Sequence, residues 1–374
     1  LWLGRAGTDL LLTNDGTGQV EESAESEVAG PSLLTSTARV LDLDSDGDLD
    51  LLDMRLDNGA VPAARGMQAA AGTLLQNNRD GSLTDIAAQL GLDQSDIAIA
   101  TVVYDDFDND RDLDLILFPA DRSPLVWMNE RVGKYRLVPS DRTATATAAA
   151  SSASGVDARE PQQPAAAEGD LPVSTTGLDI GGVCGATTGD PNKDGRRDVL
   201  LFTEGGMQLY LNQGNHRFEV DSAFGDQFER LRATSGQFVD MDNDGDLDIV
   251  LANSVRGDGS RGPSLLLNDW PNNRFLDAVT LDAGNLLYTM QSAETAACVA
   301  ADFTGNGHCD VLLLTTGQSP QLIRNVSAGG NWIQLDLLGT RSRDRMTRSN
   351  ASAIGARVEV QSGLMSQQYV VGAA

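Results

Sequence analysis

The stretch VDMDNDGDLDIVL, Val239–Leu251, places Asp240, Asp242, Asp244 and Asp248 at positions 1, 3, 5 and 9 of a tight loop, with Gly245 at position 6. Four carboxylates held this close repel one another unless a hard divalent cation neutralises them. Gly245 supplies the positive φ that lets the chain curl round an ion. Phe238 and Val239 lead in, and Leu247, Ile249, Val250 and Leu251 lead out. A helix-flanked cation loop would continue into a long amphipathic segment, whereas this one enters a short β-branched run ending at Asn253, which reads as a strand. The unit is a cation-clasped turn between two strands.

The same spacing recurs along the chain, and the copies are numbered here in order. Loop I, in LDLDSDGDLDLL, carries Asp42, Asp44, Asp46 and Asp50. Loop II, in DDFDNDRDLDLIL, carries Asp106, Asp108, Asp110 and Asp114, with Arg111 where the glycine belongs. Loop III, in GDPNKDGRRDVLLF, carries Asp190, Asn192, Asp194 and Asp198; loop IV is the opening stretch. Loop V, in ADFTGNGHCDVLLL, carries Asp302, Thr304, Asn306 and Asp310, only two of them carboxylates. Zinc would need soft ligands, which these loops lack apart from His308 and Cys309. Many protein oxygens in a flexible cage favour Ca²⁺ over Mg²⁺, and loop V is expected to bind most weakly.

A second marker alternates with the loops: an apolar segment ending in Asn14, Asn77, Asn129, Asn212, Asn268 or Asn325. The repeat then reads as strand, loop, strand, turn, strand ending in Asn, turn, strand, four short strands in one antiparallel sheet. From Asn to the next loop the step is 28 residues (Asn14 to Asp42), 29 (Asn77 to Asp106), 28 (Asn212 to Asp240) and 34 (Asn268 to Asp302). Between Asn129 and Asp190 it is 61. The excess coincides with the Ala, Ser and Pro-rich run Thr143–Pro172, which reads as an inserted surface loop. Small sheets of this kind cannot bury both faces alone, so the expected fold is all-β, a β-propeller over residues 1–330. Six blades are visible in whole or part, with a seventh expected only in a longer chain. Residues 331–374 lack a metal loop, and NWIQLDLLGT, AIGARVEVQSG and QQYVVG read as three strands of a separate small β module.

The formal net charge is -27, and Lys and Arg do not cluster, which argues against nucleic-acid binding. No apolar run is long enough to span a membrane. The first residue is Leu, so either a leader has been removed or the stretch belongs to a longer protein. Cys298 and Cys309 flank one loop closely enough to pair, and two unpaired thiols is an equal alternative to that pairing. Asn325 and Asn350 begin N-x-S sequons. Arg256, Gly257 and Asp258 form an adhesion-like tripeptide that a chain rich in Gly and Asp yields by accident.

The five loops, each followed by an apolar strand, resemble the FG-GAP/VCBS repeats of integrin-α-type propellers. The tail, with NWIQLDLLGT and AIGARVEV, is similar to the start of an ASPIC/UnbV module, a pairing found in proteins that resemble cartilage acidic protein. The resemblance implies Ca²⁺ at up to five loops on one face. It further implies an added backbone carbonyl ligand at position 7, which is Asp48, Asp112, Arg196, Asp246 or His308. Against this stand no nucleophile elbow, no H-E-x-x-H, no phosphate loop and only two histidines, His216 and His308, so the chain reads as a non-enzyme. The expectation is a secreted, periplasmic or cell-surface scaffold that binds a protein or glycan. The alternatives are a structural subunit of a surface assembly and a carbohydrate-active propeller enzyme.

Overall fold

The computed structural model describes residues 2–3, 10–14, 20–22, 33–43, 49–57, 73–78, 82–90, 99–119, 123–130, 134–138, 176–178, 180–229, 231–255, 257, 259, 261–272, 274–277, 295–315, 319–327, 330–339, 353, 356–362 and 365–371. The insertion at 143–172, Asn350, Arg256 and Asp258 lie outside these residues, as do Asp44, Asp46 and Asp48 of loop I.

Strands β1 (Trp2–Leu3), β2 (Leu10–Asn14) and β3 (Val20–Glu22) form a three-stranded antiparallel sheet. Blade I follows as β4 (Leu33–Leu41), β5 (Asp50–Asp57), β6 (Thr73–Asn77) and β7 (Leu83–Asp85). Blade II is β8 (Ile99–Asp105), β9 (Asp114–Pro119), β10 (Leu125–Asn129) and β11 (Tyr135–Val138). Blade III is β12 (Val183–Gly189), β13 (Asp198–Thr203), β14 (Gly206–Gly214) and β15 (Arg217–Val220). Blade IV is β16 (Gly236–Val239), β17 (Asp248–Val255), β18 (Arg261–Asn268) and β19 (Phe275–Asp277). Blade V has three strands, β20 (Thr295–Ala301), β21 (Asp310–Thr315) and β22 (Gln321–Ile323). Within every blade the strands pair in sequence order, each antiparallel to the next.

Blades stack because the second strand is apolar on both sides. Every residue of β9 and β13 is buried, as expected of a strand covered on both faces. The outer strand β15 buries one residue in four. The first strands β4, β8, β12, β16 and β20 each touch the next one along, which sets the sheets round a common axis as a propeller. Between blades II and III, Val103, Phe107, Ile116 and Phe118 meet Val199, Leu201 and Phe218. Between III and IV, Leu200 and Phe202 meet Ile249 and Leu251. A register shift near the start of β4, β8, β12 and β20 bends these inner strands.

Blade V carries the same forward face with less cover. Val299 is 39 % exposed where its blade II counterpart Val103 is 6 % exposed, and Phe303 is 47 % exposed where Phe107 is 1 % exposed. Each loop joins the first strand of its blade to the second, so all five loops emerge at one end of the ring.

The tail departs from expectation. Strands β23 (Arg357–Ser362) and β24 (Met365–Val370) form an antiparallel hairpin, as the pattern predicts. Residues 331–339, predicted as a third strand, adopt none. Their alternation of apolar and polar side chains is strand-like, but no backbone among the described residues pairs with them in a ladder, and Trp332, Ile333 and Leu338 are exposed. Cys184, Cys298 and Cys309 are free thiols.

Candidate metal centre

Position 9 is the hinge of each loop. Asp50, Asp114, Asp198, Asp248 and Asp310 are all buried. Asp114 Oδ2 accepts the Phe107 N–H (3.0 Å) and its Oδ1 accepts the Asn129 N–H (2.8 Å). Asp248 repeats this with Met241 (2.9 Å) and Asn268 (2.8 Å). Asp50 does so with Leu43 and Asn77, both at 2.9 Å. One carboxylate thereby ties its loop to the end of its blade's third strand. In loop III, position 2 is Pro191, which has no N–H. Asp198 accordingly takes only the Asn212 N–H, at 2.7 Å, and its Oδ2 is buried without a hydrogen-bond partner.

The asparagine that ends the third strand has a role its sequence pattern did not reveal: it latches neighbouring blades. The Asn129 side chain donates to Leu43 O at 3.2 Å, Asn212 to Phe107 O at 2.8 Å, Asn268 to Pro191 O at 2.9 Å and Asn325 to Met241 O at 2.7 Å. Each acceptor is position 2 of the preceding blade's loop. Asn212, Asn268 and Asn325 also donate to position 8 of their own loops, at 3.2, 3.2 and 3.1 Å. Asn325, a sequon asparagine, is thus buried and engaged, and closed to modification in the folded chain.

Position 4 reaches the opposite way, to the following loop. Asn109 Nδ2 donates to Gly195 O at 3.3 Å, and Asn243 Nδ2 donates to Gly307 O at 2.8 Å while lying 3.0 Å from His308 Nδ1. The Lys193 ammonium pairs with the Asp246 carboxylate and sits 4.8 Å from the centre of the Trp270 ring. These position-4 residues are left-handed, with φ of 64° at Asn109, 57° at Lys193 and 59° at Asn243.

Inside loops II and IV the remaining acids curl the backbone. Asp240 Oδ2 accepts the Gly245 N–H (3.1 Å), Asp242 that of Asp244 (3.2 Å) and Asp244 that of Asp246 (2.8 Å). Loop II matches through Asp106 with Arg111 (3.2 Å), Asp108 with Asp110 (3.2 Å) and Asp110 with Asp112 (2.9 Å). Arg111 adopts the geometry expected of the missing glycine, φ 80° against 92° at Gly245. Replacing it with glycine, Arg111→Gly, should raise stability by about 1 kcal/mol, read as a higher urea midpoint.

What the loops offer a cation differs. The carboxylate oxygens of Asp106, Asp108 and Asp114 come within 4.8 Å of one another, as do those of Asp240, Asp242 and Asp244. Asp106 Oδ1 and Asp240 Oδ1 are buried with no hydrogen-bond partner, so an all-oxygen set converges with lone pairs to spare, which fits a calcium ion. In loop III the Arg196 guanidinium lies 2.5 Å from Asp194 Oδ2 and occupies that acid. In loop V, Asp302 accepts the Asn306 and Gly307 N–H groups, and Thr304 is exposed. Burial, ahead of all other causes, pushes the carboxyls up, to about 6 for Asp106 and Asp244 and about 8 for Asp114, Asp198 and Asp248. His216, 4.0 Å from Asp108, is held below its usual value by desolvation.

Comparison with known proteins agrees with the repeat. Residues 190–251, from the first acid of loop III to the second strand of blade IV, match the FG-GAP-like repeat. No curated protein matches the chain. Among solved structures, an N-acetylglucosamine-recognising lectin of Agrocybe aegerita is 14 % identical, with TM-score 0.47 over 86 % of this chain and 75 % of that one. A BBS1 fragment crystallised with ARL6 is 12 % identical, with TM-score 0.34 over 79 % and 81 %. The rhamnogalacturonan lyase of Bacillus licheniformis is 11 % identical, with TM-score 0.29 over 87 % and 72 %.

Proposed function

We propose that this propeller is an extracytoplasmic calcium-binding scaffold, in which Ca²⁺ fixes the loop end of the ring so that its surface can bind a protein or glycan. The reading is carried by one buried, unpartnered carboxylate oxygen in each of loops II and IV, Asp106 Oδ1 and Asp240 Oδ1, on acids whose oxygens lie within 4.8 Å of those of two further acids. Asp106, Asp108 and Asp114 would hold one ion, and Asp240, Asp242 and Asp244 another. The ion would supply positive charge at the centre of each cluster. Loops III and V, with Asp194 taken by Arg196 and with two carboxylates respectively, would bind more weakly. The chain acts by binding rather than catalysis in this reading: His308 is engaged with Asn243, and the clustered acids are accounted for by backbone bonds and the cation. Isothermal titration with CaCl₂ and MgCl₂ tests it, and equal heats for the two ions, or none, would sink it.

The raised carboxyl values set the pH dependence. In the ion-free protein these acids ionise in the unfolded chain near pH 4 (~3.9) but resist ionising in the folded one up to about 6 for Asp106 and about 8 for Asp114 and Asp248. Their contribution to stability is therefore complete below the unfolded value and lost as pH rises through the folded ones. Calcium requires the anions, so its apparent affinity should climb from pH 5.5 to 8.5 with release of protons. Melting curves across that range should show a calcium increment that grows with pH. A constant increment would count against ligation by these acids.

A further inference from the structure

Loops II and IV share a second property: each has a side chain of the β23–β24 hairpin resting on its position-1 acid. Arg357 Nη1 lies 3.8 Å from Asp106 Oδ2 and donates to Asn109 Oδ1 at 2.5 Å. Its Nη2 donates to Gln368 Oε1 at 2.8 Å, which holds the guanidinium in place. Gln367 Nε2 donates to Asp240 Oδ2 at 3.5 Å. Between them, Gln368 stands over loop III, where a Cβ on Gly195 would come within 3.6 Å of its Nε2. The hairpin thus lies across three consecutive loops.

Both donors address acids that would ligate calcium, at the Oδ2 that also accepts a backbone N–H and not at the unpartnered Oδ1, and this inference rests on that reading of the loops. A guanidinium beside Asp106 repels a second positive charge entering the same site. A two-stranded hairpin is marginal on its own, so its place on the ring depends on these contacts and on Tyr369, which lies near Asp240 and Cys309. Occupants that disfavour each other are linked, and the linkage acts equally in both directions.

We propose that the β23–β24 hairpin is a self-supplied cap on the acidic end of the ring, with Arg357 standing in for a cation at loop II, and that calcium at loops II and IV displaces it. In the ion-free protein the guanidinium and the Asn109 side chain are held together at the solvent-exposed rim of loop II, and calcium would part them. The hairpin is in this way a gate at the loop II site, set by whether the ion is bound.

Hydrogen–deuterium exchange of the β23–β24 amides in the unaltered protein, followed through a calcium titration, tests the gate, with titration calorimetry on Arg357→Gln and Arg357→Lys alongside. Exchange of the hairpin should quicken as calcium binds. Arg357→Gln should tighten one calcium site by about tenfold, within the usual range of such couplings, whereas Arg357→Lys, which keeps the charge, should not. Calcium binding with hairpin exchange unchanged or slowed, or with the affinity of Arg357→Gln equal to or below that of the parent, overturns the gate and leaves the calcium sites standing. No calcium heat in any of the three proteins removes the sites and the gate together.

Discussion

Stripping calcium with EGTA lowers the melting temperature by about 10 °C if loops II and IV are both filled at a calcium level a hundredfold above their dissociation constants. Each filled site then contributes about 2.7 kcal/mol, and 1 kcal/mol moves the midpoint of a domain this large by roughly 2 °C. The effect is this large because the ion removes a repulsion as well as adding bonds: Asp106 and Asp108 are both raised by burial and by neighbouring acids. Magnesium at the same concentration should restore much less, since it keeps its waters and asks for an octahedral cage. Differential scanning calorimetry with and without chelator reads the shift directly. An unchanged midpoint would mean that the acids are content with backbone partners alone.

Asp248→Ala is expected to cost about 3–5 kcal/mol even with no calcium present, because it orphans the buried N–H groups of Met241 and Asn268. Both N–H groups donate to the oxygens of that carboxylate, at 2.9 and 2.8 Å. Asp244→Ala, in the same loop but exposed, should cost under about 1 kcal/mol without calcium and abolish binding at loop IV. Urea unfolding of both variants in EGTA separates the roles. Equal losses would show that position 9 is an ordinary ligand with no separate structural duty.

The loops, the strands that leave them and the asparagine at the end of each third strand were all legible in the sequence, because each is a local pattern with its own period. The duty of Asp248 was not, since an aspartate that ties two backbone N–H groups is written with the same letter as one that faces an ion. The latch was hidden for a different reason. Asn129 and its acceptor lie 86 residues apart, and Asn212 and its acceptor 105 apart, so neither segment alone names its partner. Residues 331–339 alternate as a strand should, yet strand formation depends on a neighbouring edge that the pattern of one segment cannot encode. Docking of the tail was equally remote, with Arg357 and Asn109 separated by 248 positions.

The asparagine bond from one blade to the one before it has a consequence for how such a ring can be lengthened or shortened. Donor and acceptor both belong to the repeat: the side chain that reaches back and the position-2 carbonyl that receives it are both present in each of blades II, III and IV. Copying or excising one whole repeat therefore leaves no orphaned amide and no unclaimed carbonyl at the new seam. This joint is written into the unit and not into any particular pair of units, so a copied blade II, III or IV would carry the bond to its new seam, whereas pair-specific contacts such as Lys193 with Asp246 would not follow.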